Sequence, residues 1–355
     1  MTRHRSLLGF WLIILLLASA CEPARLSPEP LPVSGAALSN VPTPQPARAN
    51  SAALIPSAST TPIPPVQAGL TPRPSGANRP VEIKEFSNVA YAQISGVDPH
   101  MLSLDIYTAS KIGSHQPVMI YIHGGGWSAG DKKDVDHKPE FFVKAGFVFV
   151  SVNYRLSPQA EFPAHANDVA ASVAWVYQHI AQYGGDPEKL SLMGHSAGAH
   201  LAVLISTDEQ YLKAQGLGLN NIRAVISLDT AGYDLAVFAD RCKGKKLPDP
   251  YGTAFGQVPA DLQAASPVTY VKSGKRIPPM VVVYSGDVGI GSSVTRALMA
   301  EEFSQTLSKA GVTYRLEGAP EKNHGQINVD FGRPGDTLSE RVLASLKKLA
   351  PTEFN

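Results

Sequence analysis

The sequence predicts an α/β fold with a mainly parallel, eight-stranded sheet, helices on both faces and a small cap insertion. Over most of the chain, apolar runs of strand length alternate with segments of helical spacing, the pattern of a parallel sheet whose strands are joined by helices. The runs at 117–122, 147–152, 222–228 and 280–285 are almost continuously apolar, as in strands covered on both faces. The alternation lapses between about 233 and 278, and this irregular stretch is the predicted insertion.

Shorter patterns predict the remaining strands and the helices. Residues 81–92 and 101–107 alternate apolar and polar side chains, which predicts two half-buried strands paired antiparallel. An apolar run before Gly194 and another at 313–317 complete the eight strands. Helical spacing predicts helices over 138–145, 166–183, a stretch that starts just after residue 196, 293–311 and 338–349.

The chain divides into three predicted segments. A basic start and an apolar run shorter than the roughly 20 residues of a membrane-spanning helix predict an export signal peptide over residues 1–20. The letters LASAC at 17–21 resemble the lipobox of bacterial lipoproteins, which implies cleavage before Cys21 and lipid attachment to its thiol. The alternative is an ordinary secreted protein. Residues 22–80 are proline-rich without an apolar period, which predicts a disordered tether, and residues 81–355 form the globular domain.

Composition excludes some functions. The 31 basic and 30 acidic residues give a net charge of +1, so the chain lacks the basic excess of nucleic-acid-binding proteins. Cys21 and Cys242 are the two cysteines, so lipidation of Cys21 leaves no disulfide framework. The sequence also has no Cys/His ligand cluster, and no metal site is predicted.

The letters GHSAG at 194–198 are central to the functional prediction. An apolar run precedes them and a small-residue helical pattern follows, which is the setting of a nucleophile on a sharp turn between strand and helix. A serine hydroxyl needs an adjacent base, which in this arrangement follows it in the chain. Only His200 and His324 follow Ser196, and His200 lies on the same helix. Elimination therefore predicts Ser196 as nucleophile and His324 as base.

The acid that orients His324 has two candidates. Asp229 and Asp287 each follow a buried strand directly, at the sheet edge where such sites form. Of these two strands, the one before Asp287 is the nearer to His324 in the sequence, so Asp287 is the predicted acid and Asp229 the reserve.

A serine that attacks a carbonyl carbon, the first step of acyl transfer, also requires N–H donors for the oxyanion that develops on the carbonyl oxygen. The letters HGGGW at 123–127 follow a buried strand upstream of Ser196, and glycines there leave the backbone open to a substrate. Ala197, the first residue after the nucleophile, supplies a second source of N–H from the helix start.

Together these residues resemble the esterase and lipase group of α/β-hydrolases, including the hormone-sensitive-lipase-like esterases and kynurenine formamidases. The matching letters are HGGGW at 123–127, SVNYRLSP at 151–158, YGGDPEKLSLMGHSAGAHLA at 183–202, SGD at 285–287 and NHG at 323–325. The resemblance implies that Gly125 and Gly126 join Ala197 in the oxyanion hole, and that the reaction needs no metal or organic cofactor.

The predicted function is hydrolysis of carboxylic esters by a Ser-His-Asp acyl-enzyme mechanism, on small or carbohydrate-borne esters. One alternative is an arylformamidase of the kynurenine-formamidase type, and another is a non-catalytic surface lipoprotein on a hydrolase scaffold. The expected partners are a small-molecule ester and, through Cys21, a membrane of the cell envelope. The sequence leaves the oligomeric state open.

Overall fold

The computed structural model describes residues 81–111, 113, 115–242, 244–286 and 295–351. The predicted signal peptide, Cys21, the predicted tether and Asp287 lie outside these ranges. The described ranges contain one eight-stranded sheet, which confirms the predicted α/β class. Its strands are β1 (Ile83–Ala90), β2 (Ser103–Ala109), β3 (Gln116–Ile122), β4 (Val148–Val152), β5 (Gly185–His195), β6 (Ile222–Leu228), β7 (Met280–Ser285) and β8 (Tyr314–Ala319).

Neighbouring strands lie in the order β1-β2-β4-β3-β5-β6-β7-β8. β2 pairs antiparallel with both β1 and β4, as the alternating patterns predict for the first two strands. All the other pairs are parallel, so six consecutive strands end at one edge of the sheet. β5 and β6 are interior strands of this parallel part, so each is hydrogen-bonded to a neighbouring strand on both sides.

Ten α-helices connect and cover the strands in the described ranges. They are α1 (Lys138–Lys144), α2 (Ala164–His179), α3 (Ala197–Thr207), α4 (Glu209–Lys213), α5 (Leu235–Arg241), α6 (Tyr251–Phe255), α7 (Pro259–Ala264), α8 (Arg296–Lys309), α9 (His324–Val329) and α10 (Thr337–Leu349). The predicted insertion contains the three short helices α5, α6 and α7. None of the helices in these ranges is long and apolar enough to cross a bilayer.

Two apolar layers cover the two faces of the sheet. Along β3, Val118, Ile120 and Ile122 join the core beneath α2, α3 and α8, whereas Met119 and Tyr121 join the core beneath α1 and α10. Successive side chains of a strand point to opposite faces, so a strand that is apolar throughout can be buried on both. This arrangement explains why the central strands appear as unbroken apolar runs in the sequence.

Four histidines lie inside these layers with at most 7% of their surface exposed: His123, His165, His195 and His200. Burial disfavours the charged imidazolium, so the pKa of His165 and of His200 falls to about 4 and that of His195 to about 3. Burial also lowers the pKa of His123. The folded protein therefore keeps these rings neutral at pH values where the unfolded chain protonates them.

We expect the free energy of unfolding to fall as the pH drops below about 6.5, the pKa of an unfolded histidine. Each ring that stays neutral in the fold contributes a loss of up to about 1.4 kcal/mol per pH unit. His200→Gln removes one such group and keeps a side-chain N–H for the Ala265 carbonyl that His200 contacts at 2.8 Å. Urea titrations between pH 7 and pH 5 should show a shallower loss for this variant. His115→Gln, at an exposed position, is the control, and equal slopes for wild type and His200→Gln would contradict the assignment.

Candidate active site

Ser196 lies on the sharp turn between β5 and α3, as the GHSAG letters predict. Its backbone has φ 54° and ψ −117°, a conformation that side-chain-bearing residues rarely adopt and that costs about 1–3 kcal/mol. The Ser196 N–H donates to the carbonyl of Leu228 at the end of β6, with an N···O distance of 2.9 Å. The turn is thus fastened to the neighbouring strand.

Two glycines allow the strand and the helix to pass each other at this turn. A Cβ on Gly198 would lie 2.1 Å from the carbonyl oxygen of Ile122, and a Cβ on Gly194 would lie 2.3 Å from the Gly198 carbonyl. Both contacts are with backbone atoms, which cannot move aside cheaply. Glycine at these two positions therefore lets α3 start directly above β3 and β5.

His324 lies against Ser196, as elimination among the histidines predicts. Its Nε2 is 3.0 Å from the Ser196 Oγ, a hydrogen-bonding distance. The residue is the first of α9, and Asn323 and Gln326 form a capping box that fixes the helix start. The rejected candidate, His200, is buried on α3 and contacts the carbonyl of Ala265.

The carboxylate beside His324 belongs to Asp229, the reserve candidate. The Asp229 Oδ2 lies 2.6 Å from the His324 Nδ1, the ring nitrogen opposite the one that faces Ser196. Ser196, His324 and Asp229 thus form one continuous hydrogen-bonded row. This geometry corrects the preference for Asp287, which itself lies outside the described residues.

Sheet order gives the physical reason for the correction. β6, which ends just before Asp229, is hydrogen-bonded to β5, which carries Ser196. β7 is one strand further away, and adjacent strands are about 4.8 Å apart. A histidine that must reach Ser196 passes over the end of β6. Adjacency to the strand of the nucleophile therefore matters more than which of β6 and β7 is nearer to His324 in the sequence.

Asp229 is buried, with N–H donors at both carboxylate oxygens and one arginine nearby. Its Oδ1 accepts from the Ser285 N–H at 2.6 Å, and the Arg296 Nε lies 3.6 Å from its Oδ2. Burial alone would raise the pKa of Asp229, but the hydrogen bonds from His324 and Ser285, with the nearby charges, hold it below its ordinary value. The carboxylate is therefore ionised at neutral pH. Sequence reasoning missed Ser285 and Arg296. Ser285 contributes only a backbone N–H, and Arg296 is far from Asp229 in the chain, so no local pattern indicates either residue.

The glycine loop lies directly beside the nucleophile. A Cβ on Gly124 would be 3.3 Å from the Cβ of Ser196. Gly125 and Gly126 follow with φ 109° and 60°, and a Cβ on Gly126 would lie 2.3 Å from the ring of Pro250. Ala197 is the first residue of α3, where helix N–H groups have no partner in the helix. The structure thus brings all three predicted donor residues to the same end of the sheet as Ser196.

Side chains from the segment directly after β4 and from the loop after β3 brace the glycine loop. The Tyr154 hydroxyl donates to the His123 carbonyl at 3.1 Å, and their rings stack with centroids 4.4 Å apart. The Asn153 Oδ1 accepts from the Lys132 N–H at 2.6 Å. The buried Lys132 ammonium in turn lies 3.0 Å from an oxygen of the buried Asp105 on β2. These contacts tie both ends of the loop to the sheet.

The insertion also contacts this loop. Trp127, which follows Gly126, is buried against Tyr251 and Phe255 of α6, with ring centroids 4.9 and 4.7 Å away. Pro250 precedes α6 and touches Gly126. The sequence showed only an irregular stretch here, because the aromatic residues that make these contacts lie on helices too short to show a period.

Two further side-chain observations concern the chemistry of the site. Across the described ranges, no three or more His, Cys, Asp or Glu side chains come together in an arrangement that could hold a metal ion. Cys242 is buried, and burial raises the pKa of its thiol.

Comparison with known proteins agrees with this architecture. The BD-FAE family model matches residues 104–290, just over half of the chain. The chain belongs to the BD-FAE family. The matched range holds the glycine loop, Ser196 and Asp229, and it ends before His324. This BD-FAE protein has the fold of α/β-hydrolases of the esterase and lipase group.

Individual proteins that resemble this chain share 20–30% of its residues over the matched ranges. Esterase LipQ of Mycobacterium tuberculosis is 30% identical over 234 residues, which are 62% of this chain and 53% of LipQ. Carboxylesterase NlhH of the same organism is 27% identical over 255 residues, 68% of this chain and 77% of NlhH. The inhibited esterase B of Lactobacillus rhamnosis superposes with a TM-score of 0.64 at 20% identity, over 78% of this chain and 90% of that one. The chain spans about half the length of LipQ.

Asp229→Asn tests which carboxylate orients His324. Asparagine keeps the shape but can present an N–H to the Nδ1, which favours the wrong imidazole tautomer and should lower kcat about 10⁴-fold. We expect Asp287→Asn to lower kcat far less. The measurement is kcat for a short-chain aryl ester with both variants and wild type. A large loss of kcat in Asp287→Asn together with a small loss in Asp229→Asn would show that Asp287, and not Asp229, orients His324.

Proposed function

We propose that this BD-FAE protein is a serine hydrolase of carboxylic esters. The observation that carries the proposal is the row in which the Ser196 Oγ lies 3.0 Å from the His324 Nε2 and the His324 Nδ1 lies 2.6 Å from Asp229. A serine, a base within reach and an acid that orients the base are the parts of nucleophilic acyl transfer. The relatives named as an esterase and a carboxylesterase support the same reaction class.

The mechanism has two acyl-transfer steps. The Ser196 Oγ attacks the ester carbonyl carbon as its proton passes to the His324 Nε2, and a tetrahedral oxyanion forms. The N–H groups of Gly125, Gly126 and Ala197 stabilise this oxyanion in place of water. The carbon–oxygen bond to the alcohol then breaks, and His324 gives its proton to the leaving oxygen.

The second step repeats the first with water. His324 takes a proton from a water molecule, which attacks the acyl carbon, and the protonated ring returns that proton to the Ser196 Oγ as the acid leaves. Asp229 remains ionised throughout, holds the Nδ1–H of His324 and stabilises the imidazolium that forms in each step.

For the substrate, we propose a small or carbohydrate-borne ester. The insertion packs against the glycine loop beside Ser196, and its helices α5, α6 and α7 have at most seven residues each. An insertion built of such short helices offers no extended apolar cover for a long acyl chain. This favours short acyl groups.

Ser196→Ala removes the nucleophile and should lower kcat for a short-chain aryl ester by about 10⁴-fold or more. The same variant should lose labelling by a fluorophosphonate probe. Ser308→Ala, at an exposed position on α8, is the control and should behave as wild type. Turnover by Ser196→Ala at the wild-type rate would exclude this mechanism.

The wild-type protein also distinguishes the alternative activities. We expect faster hydrolysis of an aryl acetate than of N-formylkynurenine, and the reverse order would indicate an arylformamidase. A folded protein that neither turns over esters nor reacts with the probe would be a binding protein on a hydrolase scaffold.

We also propose that the chain is exported and anchored to a cell-envelope membrane through a lipid on Cys21. The support is the basic and apolar start followed by the LASAC letters, which belong to residues outside the described ranges. Cys21→Ser in a bacterial host fed with labelled fatty acid should abolish incorporation and move the protein from the membrane fraction to the soluble exported fraction. Cys242→Ser is the matched control, and equal labelling of the wild type and Cys21→Ser would contradict the anchor.

A further inference from the structure

His195 occupies a position that the proposed mechanism does not use. It is the last residue of β5, directly before Ser196, and only 7% of its surface is exposed. Its Nε2 lies 3.0 Å from the backbone carbonyl oxygen of His324, and the two imidazole rings have centroids 4.5 Å apart. A Cβ on Gly124 would lie 2.9 Å from its Nδ1. One ring therefore touches the base and the glycine loop, and its backbone continues into the nucleophile.

The hydrogen bond identifies the tautomer of His195. A carbonyl oxygen can only accept, so the Nε2 of His195 carries the proton and donates it. Burial lowers the pKa of this ring to about 3, and the ring is neutral over the pH range in which a histidine base works. His195 therefore brings no charge to the base and does not compete with His324 for the proton of Ser196.

His324 follows a strand that lies far from Ser196 in the sheet. His324 follows β8 by a four-residue connection, and β8 lies three strands from β5, about 14 Å at the usual strand spacing. The connection is held near β7, where the Gly286 N–H donates to the Lys322 carbonyl at 2.9 Å. The contact from His195 holds the main chain of His324 at β5 itself, beside Ser196.

We propose that His195 is a positioning residue for hydrolysis at Ser196. The hydrogen bond from its Nε2–H to the carbonyl oxygen of His324 fixes the distance between the His324 Nε2 and the Ser196 Oγ. This inference rests on the proposed function. Nucleophilic catalysis is sensitive to such distances, because a misplacement of about 1 Å can lower the rate about 100-fold.

Two amide variants test the reach of this donor. The amide nitrogen of glutamine can occupy the place of the histidine Nε2, whereas that of asparagine is one methylene shorter. We expect His195→Asn to lower kcat for a short-chain aryl ester about 10- to 100-fold with KM within about threefold of wild type. His195→Gln should keep kcat within about threefold. Should the shorter variant not fold, His195→Met has the length of glutamine without the donor and should show the same loss.

The control is a buried histidine away from Ser196. His165 on α2 is fully buried with its Nε2 3.1 Å from the Ser157 hydroxyl. His165→Asn should lower stability in urea without the loss of kcat. Equal kcat for His195→Asn and His195→Gln, or an equal loss in His165→Asn, would overturn the proposal. Turnover and fluorophosphonate labelling of the wild type test the ester-hydrolase function separately, because an inactive wild type would refute that function before any variant is compared.

Discussion

The backbone of Ser196 is the constraint on which the rest of the site depends. Its positive φ is unfavourable for a serine, and the surrounding backbone enforces it: the Ser196 N–H is bonded to the end of β6, and Gly198 rests on the carbonyl of Ile122 in β3. The hydroxyl is therefore fixed to three adjacent strands at the centre of the sheet. Every other group of the site has to be brought to this fixed point.

The acid illustrates this dependence. A carboxylate can orient His324 from any strand end within reach, provided that it lies on the side of the ring away from Ser196. β6 offers such a place because it is the immediate neighbour of β5. Asp229 occupies that place with φ 57°, a second unfavourable backbone at the site, and the Ser285 N–H at the end of β7 fixes its other oxygen. The end of β7 thus contributes an N–H donor to the carboxylate.

The fold was largely predictable from the sequence, and so was the contact between Ser196 and His324. Unbroken apolar runs revealed the buried strands, and chain order left one histidine for Ser196. The acid was not predictable in the same way, because the ranking of Asp229 and Asp287 depends on strand order in the sheet, which sequence order does not show. The supports of the site, such as Pro250 against Gly126 and Lys132 beside Asp105, join residues far apart in the chain and leave no local pattern.

The contacts of the glycine loop connect the three predicted donor residues with the insertion. Gly126 rests on Pro250 and Trp127 packs against α6, so the insertion holds the backbone of the predicted donors from one side. On the other side, Tyr154 and Asn153 tie the loop to β4. The loop is therefore clamped between the sheet and the insertion. A change at Pro250 or in α6 therefore acts directly on the backbone at Gly126 and Trp127, so the position of the glycine loop beside Ser196 depends on the insertion as well as on the sheet.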